Sequence, residues 1–146
     1  MNDRNCPFCA IASFNTTDTR EIYRDQHCVA FFPVEPATLG HTLVVPKKHV
    51  PDIWSCPPYL AAHLSKTIIY LSTAIKRTLA PEGLNIIQSN GAAATQTVFH
   101  LHVHIVPRWT NDEMGEIWPS ETNFTAEQMD NLLSRLREEC RKMPHT

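Results

Sequence analysis

The chain has 146 residues, of which 42% are hydrophobic and 19% are charged. This length supports one hydrophobic core and is too short for two ordinary domains, so we expect a single domain over residues 1–146. The formal net charge of −2 gives no electrostatic case for binding a nucleic-acid polymer. No apolar run reaches the roughly 18 residues of a membrane span, and no signal-peptide segment precedes Cys6. We therefore expect a soluble, cytoplasmic protein without a membrane partner.

Short strands and one long helix are the first predicted elements. Five segments rich in β-branched and aromatic residues, each bounded by turn-forming residues, predict strands at 21–23, 27–32, 42–45, 84–88 and 101–106. Between the third and fourth strands, apolar residues recur every three or four positions, at Leu60, Leu64, Ile68, Leu71, Ile75 and Leu79. This spacing predicts a helix with one buried stripe, which begins at Pro57-Pro58 and ends before Pro81.

A second helix is predicted near the C-terminus. Thr125 and Gln128 have the spacing of a capping box, in which each side chain accepts a hydrogen bond from a backbone amide at the helix start. The predicted core face of this helix continues through Leu132, Leu133, Leu136 and Cys140. The pattern predicts an α+β fold, with a mostly antiparallel sheet of about five strands, one long inserted helix and a C-terminal helix. The core spans residues 5–109, and a loop and helix occupy 110–146.

The last predicted strand carries alternating histidines. His100, His102 and His104 alternate with Leu101, Val103 and Ile105, so the three imidazoles share one face of the strand while the apolar side chains face the core. A solvent-exposed polar face is the alternative, but such a face normally mixes several polar residue types. Three imidazoles together suit proton transfer, nucleophilic attack or metal binding.

Residues 99–107 match the signature of the histidine-triad (HIT) family, in which histidines alternate with apolar residues. The segments 83–86, 90–91 and 96–99 resemble the strand and turn that lead into the family's triad, and residues 40–49 resemble its other diagnostic segment. The resemblance spans residues 5–109. It implies a HIT-like fold and a homodimer in which two sheets join.

The same resemblance implies nucleotidyl transfer or hydrolysis at the α-phosphate of nucleoside 5′-phosphate derivatives, through a covalent nucleotidyl-histidine. The expected substrates are phosphoramidates, adenylylated compounds or dinucleoside polyphosphates. His102 resembles the nucleophile, with its second ring nitrogen bonded to the His100 carbonyl. His104 would contact phosphate oxygens or protonate the leaving group, and His41 would position the nucleophile's ring and the phosphate. No catalytic metal is expected.

Further residues match substrate-contacting positions of the family. The resemblance places Thr97, Ser89 and Gln96 on the phosphate and leaving-group side, although each also suits turn hydrogen bonding. Phe8, Ile11 and Phe31 match the base slot, and each is also a plausible core residue. Relatives usually carry Asp or Asn for the ribose at the position of Pro33, and Glu35 is the candidate replacement.

Cys6 and Cys9 form a CxxC pair with three interpretations. A redox pair normally follows a strand, which this one does not. The pair otherwise supplies half of a Cys₂His₂ zinc site, or two buried thiols. Some bacterial HIT proteins hold zinc between such a pair and two histidines, which match His49 and His100. The resemblance therefore implies one structural zinc ion per chain.

Two rival functions remain open at this stage. The departure at Pro33 suits a catalytically weak nucleotide-binding or scaffold protein of the same fold. Alternatively, His100, His102 and His104 together bind one catalytic zinc ion in a metal-dependent hydrolase.

Overall fold

Five strands form one antiparallel sheet in the computed structural model, which describes residues 5–14 and 18–144. The strands are β1 (Glu21–Arg24), β2 (Cys28–Phe31), β3 (Thr42–Pro46), β4 (Gly83–Ile87) and β5 (Val103–Arg108). Their order across the sheet is β1-β2-β3-β5-β4, and all neighbours run antiparallel. The predicted α+β class and strand number are confirmed, and each strand lies within two residues of its expected bounds.

Within the described residues, three α-helices accompany the sheet: α1 (Pro7–Ala12), α2 (Pro58–Leu79) and α3 (Ala126–Lys142). The long helix α2 begins after Pro57 and ends at Leu79. The next residue, Ala80, is its C-cap and adopts a left-handed conformation with φ of 47°. Its predicted stripe is confirmed, because Leu60, Leu64 and Leu71 are buried against the sheet. The sequence did not predict α1. Among the described residues, no helix combines the length and apolar character needed to cross a membrane.

Each face of the sheet is covered by a different helix. Residues of α2 pack with Cys28, Ala30, Val44 and Ile105 on one face. Residues of α1 pack on the other face with the alternate positions of the same strands, namely Val29, Phe31, Leu43 and Val45. Strands β2 and β3 are consequently buried at every position. His100, His102 and His104 also lie on the α1 face of the sheet.

The chain divides into two compact units, Met1–Met114 and Gly115–Thr146. The capping box at the start of α3 is confirmed: the Gln128 amide donates to Thr125 Oγ1, and the Thr125 amide donates to Gln128 Oε1. The predicted core face of α3 is wrong, because Leu132, Leu133 and Leu136 are 46%, 45% and 55% exposed, and Cys140 is also exposed. Among the described residues of the second unit, α3 is the only helix or strand, so this unit supplies no second element to bury them. The single-domain expectation stays a prediction.

Replacing Gly40 with alanine is expected to destabilise the fold by about 1–2 kcal/mol. Gly40 has φ of +85°, and a Cβ there would overlap with Cδ1 of Leu79. The side-chain end of Leu79 can move, so the backbone strain dominates the cost. Urea unfolding measures the effect, and Gly83→Ala is the matched control because its added Cβ meets only an ordinary 3.7 Å contact with Arg108. Equal stability of the two variants would contradict this prediction.

Candidate active site and metal centre

The three alternating imidazoles lie at the start of β5 on the α1 face. β5 begins at Val103, so His100 and His102 occupy the extended segment just before it. The intervening residues Leu101, Val103 and Ile105 are all buried. The predicted alternation is therefore confirmed. His100 and His102 are also buried, and His104 is partly exposed.

His102 presents one ring nitrogen with a free lone pair. Its Nδ1 lies 2.7 Å from the carbonyl oxygen of His100, which only accepts hydrogen bonds, so Nδ1 must carry the proton. In the neutral ring, Nε2 is then unprotonated. Burial lowers the pKa of His102, which keeps the ring neutral at pH 7. The Phe8 ring packs edge-on against it, with ring centres 5.1 Å apart.

His41 and His104 form a directed hydrogen-bonded pair. The Ala37 amide donates to His41 Nδ1 over 3.0 Å, so the proton of neutral His41 is on Nε2. This Nε2 donates to His104 Nδ1 over 2.8 Å, which leaves the proton of His104 on its own Nε2. Burial lowers the pKa of His41. Burial, together with the nearby His102 and His41, lowers the pKa of His104 to about 4.

The contact of His41 differs from the implied one. The resemblance gave His41 the task of positioning the nucleophile's ring, but its hydrogen bond goes to His104. The His104 ring in turn lies next to His102, with ring centres 5.0 Å apart. Among the described residues, His41 therefore contacts the triad at His104. Its role in positioning ring and phosphate stays a prediction.

Four side chains beside the triad form a cluster of metal-ligand type. Cys6, Cys9, His49 and His100 have ligand atoms that all lie within 4.8 Å of one another. His100 Nδ1 is 3.3 Å from Cys6 Sγ, and His49 Nδ1 is 3.3 Å from Cys9 Sγ. Cys6 caps α1 and Cys9 lies in its first turn, so the short helix brings both thiols to the same side.

The chemistry and spacing of this cluster fit zinc. Tetrahedral zinc with Cys and His ligands separates neighbouring ligand atoms by about 3.6 Å, close to the distances found here. His100 Nε2 lies 2.8 Å from the Pro46 carbonyl and donates to it, so Nδ1 keeps its lone pair for a metal. The cluster can therefore hold a zinc ion.

The three-histidine metal centre is disfavoured by the same contacts. His100 faces the two cysteines, while His102 and His104 have their Nδ1 atoms in hydrogen bonds with the His100 carbonyl and His41. Within the part of the chain that the structure describes, the metal-ligand group contains neither His102 nor His104.

A cavity of about 720 Å³ lies beside Phe8, and the three triad histidines are not among the described residues that line it. It is lined by Phe8, Ile11 and Phe31, the three residues that match the family's base slot, and by Thr97, Pro33 and Glu35. Phe8 lines this cavity and its ring also packs edge-on against His102, so one side chain contacts both. The cavity is large enough for a nucleoside.

Two of the candidate substrate residues lie elsewhere. Gln96 is buried: its Nε2 donates to the carbonyls of Pro51 and Val98, and its Oε1 accepts from the Gly91 amide. It holds two loops together rather than facing the cavity. Ser89 is not among the described residues that line the cavity.

The sequence did not predict two backbone groups that form hydrogen bonds with histidine rings of the site. The Ala37 amide and the Pro46 carbonyl each fix the proton of a histidine ring. Every residue carries a carbonyl and almost every residue carries an amide, so no residue-type signal indicates these contacts.

The sequence matches the HIT domain over residues 15–111. The chain belongs to the HIT family. It is 34% identical over 134 residues to the HIT-family protein hit of Bacillus subtilis (strain 168), covering 90% of this chain and 92% of that protein. It is 33% identical over 118 residues to adenylylsulfatase HINT3 of Arabidopsis thaliana, covering 81% of this chain and 58% of that protein. A zinc-bound HIT protein from Mycobacterium smegmatis has 32% identity and a TM-score of 0.71, covering 92% of this chain and 97% of that one.

Proposed function

We propose that this HIT protein hydrolyses or transfers nucleotidyl groups at the α-phosphate of nucleoside 5′-phosphate derivatives, through a covalent nucleotidyl-histidine on His102. The observation that carries this proposal is the hydrogen bond from His102 Nδ1 to the His100 carbonyl. It leaves Nε2 as a neutral nucleophile on a ring that packs against Phe8, which also lines a cavity with apolar and aromatic walls. Catalysis through covalent histidine replaces one difficult displacement with two easier ones.

In the first step, the Nε2 lone pair of His102 forms a bond to the α-phosphorus. The bond from phosphorus to the leaving group breaks, and its electron pair departs with the leaving group, which takes a proton from solvent when it is an amine. His104 donates a hydrogen bond from Nε2–H to the leaving atom or a phosphoryl oxygen. In the second step, water attacks phosphorus, the P–N electron pair returns to His102, and the water proton passes to solvent.

The relatives support nucleotide chemistry of this kind. The Arabidopsis thaliana relative is named an adenylylsulfatase, an enzyme that acts on an adenylylated compound. We therefore propose adenylylated compounds, phosphoramidates and dinucleoside polyphosphates as substrates, with the base against Phe8, Ile11 and Phe31. Thr97 and Glu35, at the cavity wall, contact the leaving group and ribose respectively.

Phosphorus NMR tests the proposal directly. The zinc-loaded protein is mixed with adenosine 5′-phosphoramidate, adenylyl sulfate or diadenosine tetraphosphate, and we expect release of AMP from at least one. A rapid acid-free quench should trap a phosphorus adduct on histidine. Binding of these compounds without adduct or turnover would instead establish the nucleotide-binding scaffold.

Replacing Pro33 with aspartate is expected to raise the preference for ribose over 2′-deoxyribose substrates by about tenfold, because a carboxylate adds a charged hydrogen bond to the sugar. Pro33 lines the cavity and has no side-chain donor or acceptor. The ratio of kcat/KM for adenosine and 2′-deoxyadenosine phosphoramidates measures the effect. Pro33→Ala is the matched control, and an unchanged ratio in P33D would contradict the assigned ribose position.

We further propose a homodimer in which β4 of one copy pairs with β4 of a second copy. β4 is an edge strand, and Ile86 on it is 47% exposed. The adjoining surface of α2 exposes Ile69, at 68%. Ser72 Oγ, between these elements, is buried without a hydrogen-bond partner among the described residues. An unpaired edge flanked by apolar side chains suits such an interface.

Ile86→Lys is expected to convert the dimer into a monomer, because a charge would be buried at the joined edge. Sedimentation should give twice the 16.6 kDa chain mass for the unmodified protein and one chain mass for the variant. Ile117→Lys, at an apolar residue with similar exposure in the other compact unit, is the control. A monomeric unmodified protein would contradict the dimer. Cytoplasmic localisation stays a prediction.

A further inference from the structure

The loop between β2 and β3 contacts both the cavity and the histidine pair. At its beginning, Pro33 and Glu35 line the cavity. Further along, the Ala37 amide donates to Nδ1 of His41, the histidine that is bonded to His104. One short segment thus contributes to the cavity wall and also contacts His41, which is bonded to His104.

The neutral His41–His104 pair has two possible proton arrangements. In the first, His41 Nε2–H donates to His104 Nδ1, and His104 carries its proton on Nε2. In the second, His104 Nδ1–H donates to His41 Nε2, His41 carries its proton on Nδ1, and His104 Nε2 has only a lone pair. Only the first arrangement offers a hydrogen-bond donor at His104 Nε2. A lone pair there would repel phosphoryl oxygens and the leaving atom.

We propose that the Ala37 amide is a positioning group that selects the first arrangement and so makes His104 a hydrogen-bond donor. In the second arrangement, the protonated Nδ1 of His41 would face the Ala37 N–H at the 3.0 Å distance found here. Two donors facing each other lose a hydrogen bond and repel. The selection therefore follows from one backbone N–H, which every residue except proline would supply at position 37.

The loop is held in place at this point. Thr38 Oγ1 donates to the Pro107 carbonyl on β5 over 2.7 Å, and the His41 amide donates to the Thr38 carbonyl over 3.1 Å. Pro33 and Pro36 restrict the backbone torsions on the amide's N-terminal side. A fixed amide allows a selective contact, since the proton arrangement depends on its direction.

The catalytic consequence rests on the proposed nucleotidyl transfer. His104 Nε2–H stabilises the charge that develops as the bond to the leaving group breaks, so the rate depends on the fraction of molecules in the first arrangement. Loss of the selection should leave the two arrangements at comparable populations.

An amide-to-ester exchange tests the proposal. The α-hydroxy analogue of alanine, introduced at position 37 of the full-length, zinc-loaded chain, removes the N–H and leaves the side chain unchanged. The readout is ¹⁵N NMR of the histidine rings at neutral pH, with signals assigned from His41→Gln and His104→Gln. The matched control is the same exchange at Leu39, whose N–H makes no hydrogen bond within the described residues.

In the unmodified protein, we expect His41 Nδ1 and His104 Nδ1 to be unprotonated and both Nε2 atoms to be protonated. The ester at 37 should give a mixture of arrangements and lower kcat for adenosine 5′-phosphoramidate about twofold or more, while the ester at 39 should change neither. A protonated His41 Nδ1 in the unmodified protein, or an unchanged ratio in the 37 ester, overturns the proposal. Because the NMR measurement needs no turnover, it separates this proposal from the proposed function.

Discussion

Replacing His102 with asparagine is expected to lower kcat/KM by at least about 10³-fold and to abolish the phosphorus adduct. The amide side chain has no nucleophilic lone pair, so the covalent step is lost while the cavity and the zinc cluster keep their residues. Steady-state hydrolysis of adenosine 5′-phosphoramidate measures the rate, and phosphorus NMR of quenched enzyme measures the adduct.

A second histidine provides the control for His102→Asn. His63 lies in α2, where its ring stacks on His27 with centres 3.9 Å apart, on elements away from the triad. His63→Asn should keep turnover and adduct. Zinc content and thermal unfolding of both variants check that the fold is retained. An adduct that persists in His102→Asn would mean that another group attacks phosphorus.

Loss of the zinc cluster is the other large expected effect. Cys9→Ser should reduce bound zinc from one equivalent per chain to none, and should lower stability in excess zinc by about 4 kcal/mol, as expected when a ligand at 1,000 times its dissociation constant no longer binds. This corresponds to a fall of about 10 °C in Tm. The cluster joins α1 to the segment after β3 and to His100, two residues before the proposed nucleophile, so its loss loosens three parts of the fold.

On a free-energy scale, Cys9→Ser should affect kcat/KM less than it affects the stability of the fold. The His100 carbonyl still accepts from His102, but its position is less constrained, and we expect about a tenfold decrease in kcat/KM. Metal analysis, thermal unfolding and hydrolysis rates measure the three effects. Cys140→Ser, at an exposed cysteine of α3, is the control and should change none of them. Zinc that remains in Cys9→Ser but is lost in His102→Asn would indicate the three-histidine centre.

Local sequence patterns predicted most of the fold because they reflect burial over many residues. The stripe of α2 and the alternation of the triad strand each repeat several times, so the periodicity is unambiguous. The helix α1 was not predicted because six residues are too few to show a helical period. Its two cysteines indicated a ligand spacing but no secondary structure. The apolar stripe of α3 indicated a helix correctly but could not indicate whether another element covers it.

The sequence predicted which side chains form the site, but it did not predict which ring nitrogens carry protons. The cluster of Cys6, Cys9, His49 and His100 comes together as the resemblance implied. The resemblance implied a substrate contact for Gln96, yet its three hydrogen bonds go to loop backbone. The direction of the hydrogen bonds around His41 depends on where a loop amide points, which only the tertiary structure fixes.

His100 makes three separate contacts through three different atoms. Its Nδ1 faces the cysteine thiols, its Nε2 donates to the Pro46 carbonyl on β3, and its own carbonyl accepts from His102. No other standard side chain offers a soft-metal donor and an N–H on opposite sides of one small rigid ring. Any exchange at this position is therefore expected to weaken zinc binding, the contact with β3 and the alignment of the proposed nucleophile His102 together. Engineers who wish to retune the enzyme should leave it untouched and diversify the cavity walls instead.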